Sequence, residues 1–290
     1  MGAGPSGDRA GTISLHFTTL RDYSDRKYDV ATGINARGVI SGYCGSGSAS
    51  DPSSGYTVAP HYGQRRYAAE DYPKAAQTVV AAITERGDTA GYWLDAAGDI
   101  HAFVDLNGTY TRFTFRKHNQ PYPTELLGID SHGLTVGFYQ DGSGAAHAFE
   151  LNLNTGKFHA ISPAGAASAV ATGINGRGDV VGWLVDSSGA QHGWVLEGVH
   201  FTIFDYPGGA LTQPSGINGK GEVVGSYEDA SGYTHGFLLL NPLNRSKWQS
   251  VDDPNAHGYS IARGIDGTGR IVGAYLDRHG NTVAFLATPS

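Results

Sequence analysis

Gly216-Ile217-Asn218-Gly219-Lys220-Gly221-Glu222-Val223-Val224-Gly225 decides the fold of this 290-residue chain, because the same sentence returns six times. Its frame is small–Ile–Asn/Asp–x–x–Gly–x–x–x–Gly. The other copies start at Gly33-Ile34-Asn35, Ala82-Ile83-Thr84, Gly128-Ile129-Asp130, Gly173-Ile174-Asn175 and Gly264-Ile265-Asp266, with Thr84 once in the Asn/Asp place. The Ile residues are 49, 46, 45, 43 and 48 positions apart. A period of that length means one supersecondary unit copied along the chain.

Working outward from Ile217, the unit reads as strands. Ser215 to Asn218 is a short strand, and Gly219-Lys220-Gly221 is a tight turn that suits positive φ. Glu222 to Tyr227 is a second strand, Asp229 to Gly232 a turn, Thr234 to Leu239 a third strand, and Ser246 to Val251 a fourth. Four short antiparallel strands per repeat make the blade of a β-propeller, so the chain is expected to be all-β with six blades. The composition agrees: 43 Gly, 16 Tyr and only 16% charged residues favour tight turns and sheets over helices. No stretch has the apolar spacing of an amphipathic helix.

One domain over 1–290 is expected, with repeats starting near 30, 79, 125, 170, 213 and 261. The sixth copy runs out after its third strand. Residues 12–21 lack three strands before them and resemble His200 to Phe204, so they are expected to complete the sixth blade and close the ring.

Further columns sharpen the unit. Counted from Ile, Asp stands at +12 in Asp95, Asp141, Asp186, Asp229 and Asp277. His stands at +18 in His101, His147, His192 and His235, and an aromatic at +20 in Phe103, Phe149, Trp194, Phe237 and Phe285. On these columns, and on triplets such as His147-Ala148-Phe149, the chain resembles the HAF-type extracellular repeat family over about 250 residues. The resemblance implies a propeller and a tendency to be exported, and it transfers no catalytic residue. The first copy departs from the pattern: it lacks the +12 Asp, and Gly45 to Gly63 reads as a Ser/Gly/Pro-rich insertion.

Charge and motifs narrow the function. A net charge of −7 argues against a nucleic-acid partner, and no apolar run is long enough to span a membrane. No signal-peptide shape opens the chain, which reads as cytoplasmic as written unless a leader was removed. The expected state is a monomer without metal or cofactor. The chain has no nucleophile elbow, His-Glu-x-x-His, phosphate loop or Cys-x-x-Cys. The repeated Asp and His are read as turn chemistry, since equivalent residues on different blades are too far apart to share one ion. Arg86-Gly87-Asp88 and Arg177-Gly178-Asp179 follow from the Gly the repeat requires. Asn107-Gly108-Thr109 and Asn244-Arg245-Ser246 are glycosylation sequons by pattern only. Cys44 reads as a small buried residue.

Function specific to this chain is sought where the copies disagree. One mouth of the channel carries the loops from each fourth strand to the next first strand, and these linkers differ blade by blade. Their unshared residues are Arg26, Lys74, Lys117, His118, Asp252, Asp253 and His257. On the innermost strand, four before the Ile, the column reads Val30, Val79, Glu125, Val170, Gln213 and Ile261; two before, Arg263 is the one charge. Such groups near a channel need a partner, a ligand or water. Candidate acid–base residues are therefore Glu125, His118, His257, Asp252, Asp253 and Tyr259. Candidate substrate-binding residues are Arg263, Lys74, Lys117, Tyr72, Tyr122, Asp205, Tyr206 and Gln213. The strand-two aromatics Tyr92-Trp93, Phe138-Tyr139, Trp183 and Tyr227 are read mostly as blade packing. Three functions compete: a cofactor-independent acid/base enzyme (lyase, cyclase, isomerase or hydrolase) on a small organic or sugar substrate, a glycan- or metabolite-binding module, and a protein-interaction scaffold.

Overall fold

The structure is a computed structural model that describes residues 13–20, 27–240 and 247–290. Six four-stranded antiparallel sheets stand around a central axis. Blade one comprises Asp29–Ile34, Ile40–Cys44, Ser54–Val58 and Tyr67–Ala69. Blade two comprises Gln77–Ile83, Thr89–Leu94, Ile100–Leu106 and Thr109–Phe113. Blade three follows with Thr124–Ile129, Leu134–Gln140, Ala146–Asn152 and Lys157–Ala160. Blade four has Ala166–Ile174, Val180–Asp186, Gln191–Glu197 and His200–Phe204. Blade five has Leu211–Ile217, Val223–Glu228, Thr234–Leu239 and Trp248–Ser250. Blade six takes Ser260–Ile265, Ile271–Leu276 and Thr282–Pro289 from the C-terminal end and Leu15–Thr19 from the N-terminal end. Leu15 lies opposite Pro289 and Thr19 opposite Phe285, so two ends of the chain share one sheet and the ring is closed.

The repeated residues are explained by contacts of the backbone. In every blade the ladder between strands one and two slips by one residue just before the motif's small residue, as between Pro214 and Gly216. The extruded residue is Thr32, Ala81, Leu127, Thr172, Ser215 or Arg263, and it lines the axial channel. The Gly that follows lies against its counterpart in the next blade. A Cβ on Gly264 would come within 2.9 Å of the Cα of Gly33, and one on Gly128 within 3.0 Å of the Cα of Gly173. Six inner strands can therefore meet around a narrow axis only where this side chain is small or absent.

The second motif Gly has a different reason. Gly42, Gly91, Gly137, Gly182, Gly225 and Gly273 lie opposite Tyr56, Phe103, Phe149, Trp194, Phe237 and Phe285 on strand three. In five of these six pairs the aromatic ring covers the Gly so closely that a Cβ would meet ring atoms, Gly137 being the exception. All six aromatics are fully buried, and each contributes roughly 1.5–3 kcal/mol by leaving water.

The Asn/Asp column bonds blade to blade. Asn175 Oδ1 accepts the N–H groups of Arg177 and Asp179 in its own turn, and its Nδ2 donates to Asn218 O of the next blade at 3.0 Å. Asn218 does the same toward Asp266 O, and Asn35 toward Thr84 O. Arg270 crosses the closing seam, pairing with Asp266 at 2.6 Å and donating to Asn35 O and Ala36 O. Arg177, of one Arg-Gly-Asp triplet, is likewise bound to Asp179 of its own turn.

Blade one corrects one expectation. Its third strand, Ser54–Val58, lies inside the stretch read as an insertion. Tyr56 fills the aromatic place, and the extra residues lengthen the loop before it and the connection after it, which carries a short 3-10 turn at Gln64–Arg66. Arg26 and the sequon at Asn244 lie outside the described residues.

Candidate functional site

The axial channel widens at the linker mouth into a cavity of about 290 Å³. Its wall is uneven because one column of the repeat diverges. Nine residues after the Ile, opposite Val30, Val79, Glu125, Val170, Gln213 and Ile261, stand Tyr43, Tyr92, Phe138, Trp183, Ser226 and Ala274. The four aromatics line the cavity, so blades one to four give it an aromatic side. Blades five and six give small residues instead, and Gln213 and Arg263 face the cavity from there. Adjacent strand residues point to opposite sides of a sheet. Hence Tyr92 and Phe138 face the channel, whereas Trp93 and Tyr139 pack beneath the linkers. The reading of these aromatics as packing therefore holds for one of each neighbouring pair and is corrected for Tyr92, Phe138 and Trp183. Their shared distance from the Ile is the signal that could have separated them.

Glu125 and Arg263 are the charges of this cavity. Burial pushes the Glu125 carboxyl up to about 7, with no other cause contributing. Arg263 occupies the extruded position of blade six, so its guanidinium projects into the channel and is exposed there. Among the described residues neither forms an ion pair or side-chain hydrogen bond. Tyr92 senses both: burial raises its phenol first, Glu125 raises it further, and Arg263 opposes them. Tyr43 is raised by burial and by neighbouring Tyr28, with Arg263 again lowering it. Tyr259 is raised by burial and lowered by Arg263. Glu125, Arg263, Gln213 and Tyr259 are thus gathered at or beside one mouth.

The other candidates lie elsewhere. Lys117 and His118 sit on a small exposed hairpin, Arg116–Lys117 against Gln120–Pro121, in the linker before blade three. Lys74 is exposed in a turn with φ of +65°. His257 is exposed at the outer cleft between blades six and one. Tyr72 stacks on Trp93 at 4.3 Å and Tyr206 on Tyr227 at 3.5 Å, while Tyr122 packs beside Phe115 and Tyr139. These rings fasten linkers to the blade that follows. Asp205 and Asp252 accept hydrogen bonds from His192 Nδ1 and His235 Nδ1, both at 2.9 Å. Asp253 is buried, and its Oδ1 accepts from Asn255.

The +12 Asp and +18 His meet across one turn. Asp141 Oδ1 accepts the N–H groups of Ser143 and Ala145, and Oδ2 lies 2.7 Å from His147 Nε2. Asp95–His101 and Asp229–His235 repeat the pair. Hydrogen bonds from Ser143 and His147 hold the Asp141 carboxyl below the usual carboxylate range. Among the described residues, no group of three or more His, Cys, Asp or Glu is placed to hold a metal ion.

No family model and no curated protein matches the chain. Solved structures do share its fold. A protein of Agrobacterium tumefaciens assigned as a TolB matches with a TM-score of 0.63 at 11% identity, over 97% of this chain and 100% of its own. TolB from Acinetobacter baumannii matches with a TM-score of 0.59 at 11% identity, over 86% of this chain. The match takes in 63% of that TolB, less than two thirds of its length. A nidogen–laminin complex contains a chain matching at 0.54 and 13% identity, over 85% of this chain and 89% of its own. At such identities the likeness establishes the fold: this chain is a six-bladed β-propeller.

Proposed function

We propose that the axial cavity binds a small organic molecule or sugar derivative carrying an anionic group, and that the protein is a cofactor-independent acid/base enzyme of the lyase, cyclase, isomerase or hydrolase type. The observation that carries this reading is Glu125. Its carboxyl titrates near neutrality and faces the same cavity as an unpaired guanidinium. A half-buried carboxyl with that proton affinity is suited to give or take a proton at working pH. Arg263 is suited to hold the ligand's anionic group or a developing oxyanion. Tyr43, Tyr92, Phe138 and Trp183 supply an apolar wall for the ligand's body. We further place the chain with the HAF-type repeats, a family with a tendency to be exported.

A non-catalytic binding propeller is the second reading, for a glycan, a metabolite or a protein. It is favoured by the poverty of the cavity in acid–base groups for neutral pH: among the described residues, one carboxyl and no imidazole line it. The two readings separate in one experiment. Thermal-shift screening against small carboxylates, phosphates and sugars finds ligands, and each hit is then assayed for turnover by mass spectrometry. Arg263→Ala is expected to weaken an anionic hit at least about tenfold, the value of one charged hydrogen bond. Glu125→Gln is expected to keep binding and lose turnover by about a hundredfold or more. Turnover that survives in Glu125→Gln removes the enzyme reading. Hits indifferent to both variants remove the site.

A further inference from the structure

Blades three and five differ at the end of the outer strand, apart from the axial cavity. In blade five, His235 Nε2 faces Asp229 and its Nδ1 faces Asp252 Oδ2 at 2.9 Å. The other oxygen of Asp252 accepts the backbone N–H of Gly236 at 3.0 Å. One carboxylate is thus held by an imidazole and a main-chain N–H at the end of the outer strand. Blade one uses the same N–H, where Asp71 accepts from Gly55 at 2.9 Å. In blade four, Asp205 takes His192 Nδ1.

Blade three keeps the donors and changes the acceptor. His147 Nε2 is bound to Asp141, as in blade five. Ala148 stands where Gly236 stands. Its C=O accepts the N–H of Ile161, just as Gly236 O accepts that of Val251, so its own N–H points to the same side. The residue after Ile161 is Ser162, where blade five has Asp252. Its short side chain forms no hydrogen bond to either donor among the described residues. The linker then continues with Pro163, where blade five begins with an aromatic clamp, Tyr206 on Tyr227. Blade four offers Leu184 at the matching place, so among the described residues no such clamp fastens this linker to the blade that follows. A cavity of about 220 Å³ opens there, lined by His147, Ala148, Ser162 and the methyl groups of Ala160, Ala166 and Ala169.

We propose that this cleft between blades three and four binds a small organic carboxylate, whose carboxylate group takes the place that the Asp252 side chain takes in blade five. One oxygen receives the Ala148 N–H and the other His147 Nδ1, while a short apolar tail lies against the alanines. Because Nε2 already serves Asp141, a second donor on the ring requires the imidazolium. Among the described residues, the ionisable groups against the ring are Asp141 at Nε2 and Tyr139, stacked on it at 4.9 Å.

The test uses the full chain, butyrate as probe and butyramide as its uncharged control. Expected results are saturable butyrate binding by calorimetry and shifts of the Ala148 amide and His147 ring signals by NMR. Ser162→Asp supplies the carboxylate from within, and is expected to weaken butyrate at least about tenfold. His147→Gln, which removes the charged donor, is expected to do the same. Arg263→Ala is expected to change nothing, which separates this cleft from the axial cavity. The proposal is overturned if butyrate fails to saturate up to about 50 mM. It is equally overturned if butyramide binds as well, or if folded Ser162→Asp and His147→Gln bind butyrate like the parent.

Discussion

The two mouths of the channel are made from the same six repeats and differ in kind. At the turn mouth, Asn35, Asp130, Asn175, Asn218 and Asp266 do one job over and over: a side-chain oxygen ties its own turn, and in three of them an amide reaches the next blade. At the linker mouth the equivalent places hold different residues, and only four of the six blades give the channel wall an aromatic side chain. The symmetric end therefore holds the ring together. The asymmetric end carries a carboxyl and a guanidinium without partners among the described residues, in a ring already stabilised elsewhere. Uniformity marks the load on the backbone, and divergence marks the freedom to bind.

The largest effect expected from this contrast lies at the axis. Gly264→Val puts a branched side chain where a Cβ alone meets Gly33 Cα and Thr32 O, both at 2.9 Å. Backbone on both sides cannot yield as a side chain would. A loss of about 3 kcal/mol or more is expected in urea unfolding, with soluble yield falling accordingly. A variant as stable as the parent would mean that the inner strands do not meet as closely as the ring of small residues requires.

Glu125→Gln is expected to act in the opposite direction and only at high pH. The folded carboxyl titrates at about 7, above its ordinary 4.5. Stability from this group is therefore fully present below the unfolded value and is lost as pH rises through 7. Gln carries no such charge. Near pH 4 the two proteins should unfold alike, and by pH 8 the variant should be more stable by about 3 kcal/mol. Parallel stability curves across that range would show that Glu125 ionises as an exposed carboxyl does.

At the turn mouth, Asn218→Ala removes a buried amide that bonds Asp266 O at 2.9 Å and an oxygen that accepts from Lys220 and Glu222. A loss of about 2 kcal/mol is expected from chemical denaturation, independent of pH between 6 and 8. A loss no greater than that of an exposed substitution would deny the latch its part in holding the ring.

Much of this was legible because repeated backbone contacts leave repeated residues. The two Gly columns, the buried aromatic and the Asn/Asp amide each answer one contact, so six copies make the blade plain. Blade one hid its third strand because Tyr56 stands two places late and follows a Ser-rich loop. Glu125 and Arg263 stood out as charges in apolar or small columns. Tyr43, Tyr92, Phe138 and Trp183 did not, because neighbouring aromatics on a strand read alike until the sheet assigns each a face. Linker residues such as Tyr206 and Asp252 drew attention by differing, yet difference there also arises from how each linker is fastened to its blade.

Arg263→Ala carries the smallest expected effect on stability and sharpens the comparison most. The side chain is exposed in the channel and bound to nothing among the described residues, so its loss should change stability by less than about 0.5 kcal/mol. The Glu125 carboxyl owes its position to burial alone, and its midpoint near 7 should stay in place when the guanidinium is gone. The phenols of Tyr43, Tyr92 and Tyr259 are each lowered by Arg263, and they should titrate higher in the variant by ultraviolet difference spectroscopy. Were the Glu125 midpoint to rise as well, the two charges would be partners across the channel. The linker mouth would then be as internally committed as the turn mouth, and the axial cavity would have no unpaired cation to offer a ligand.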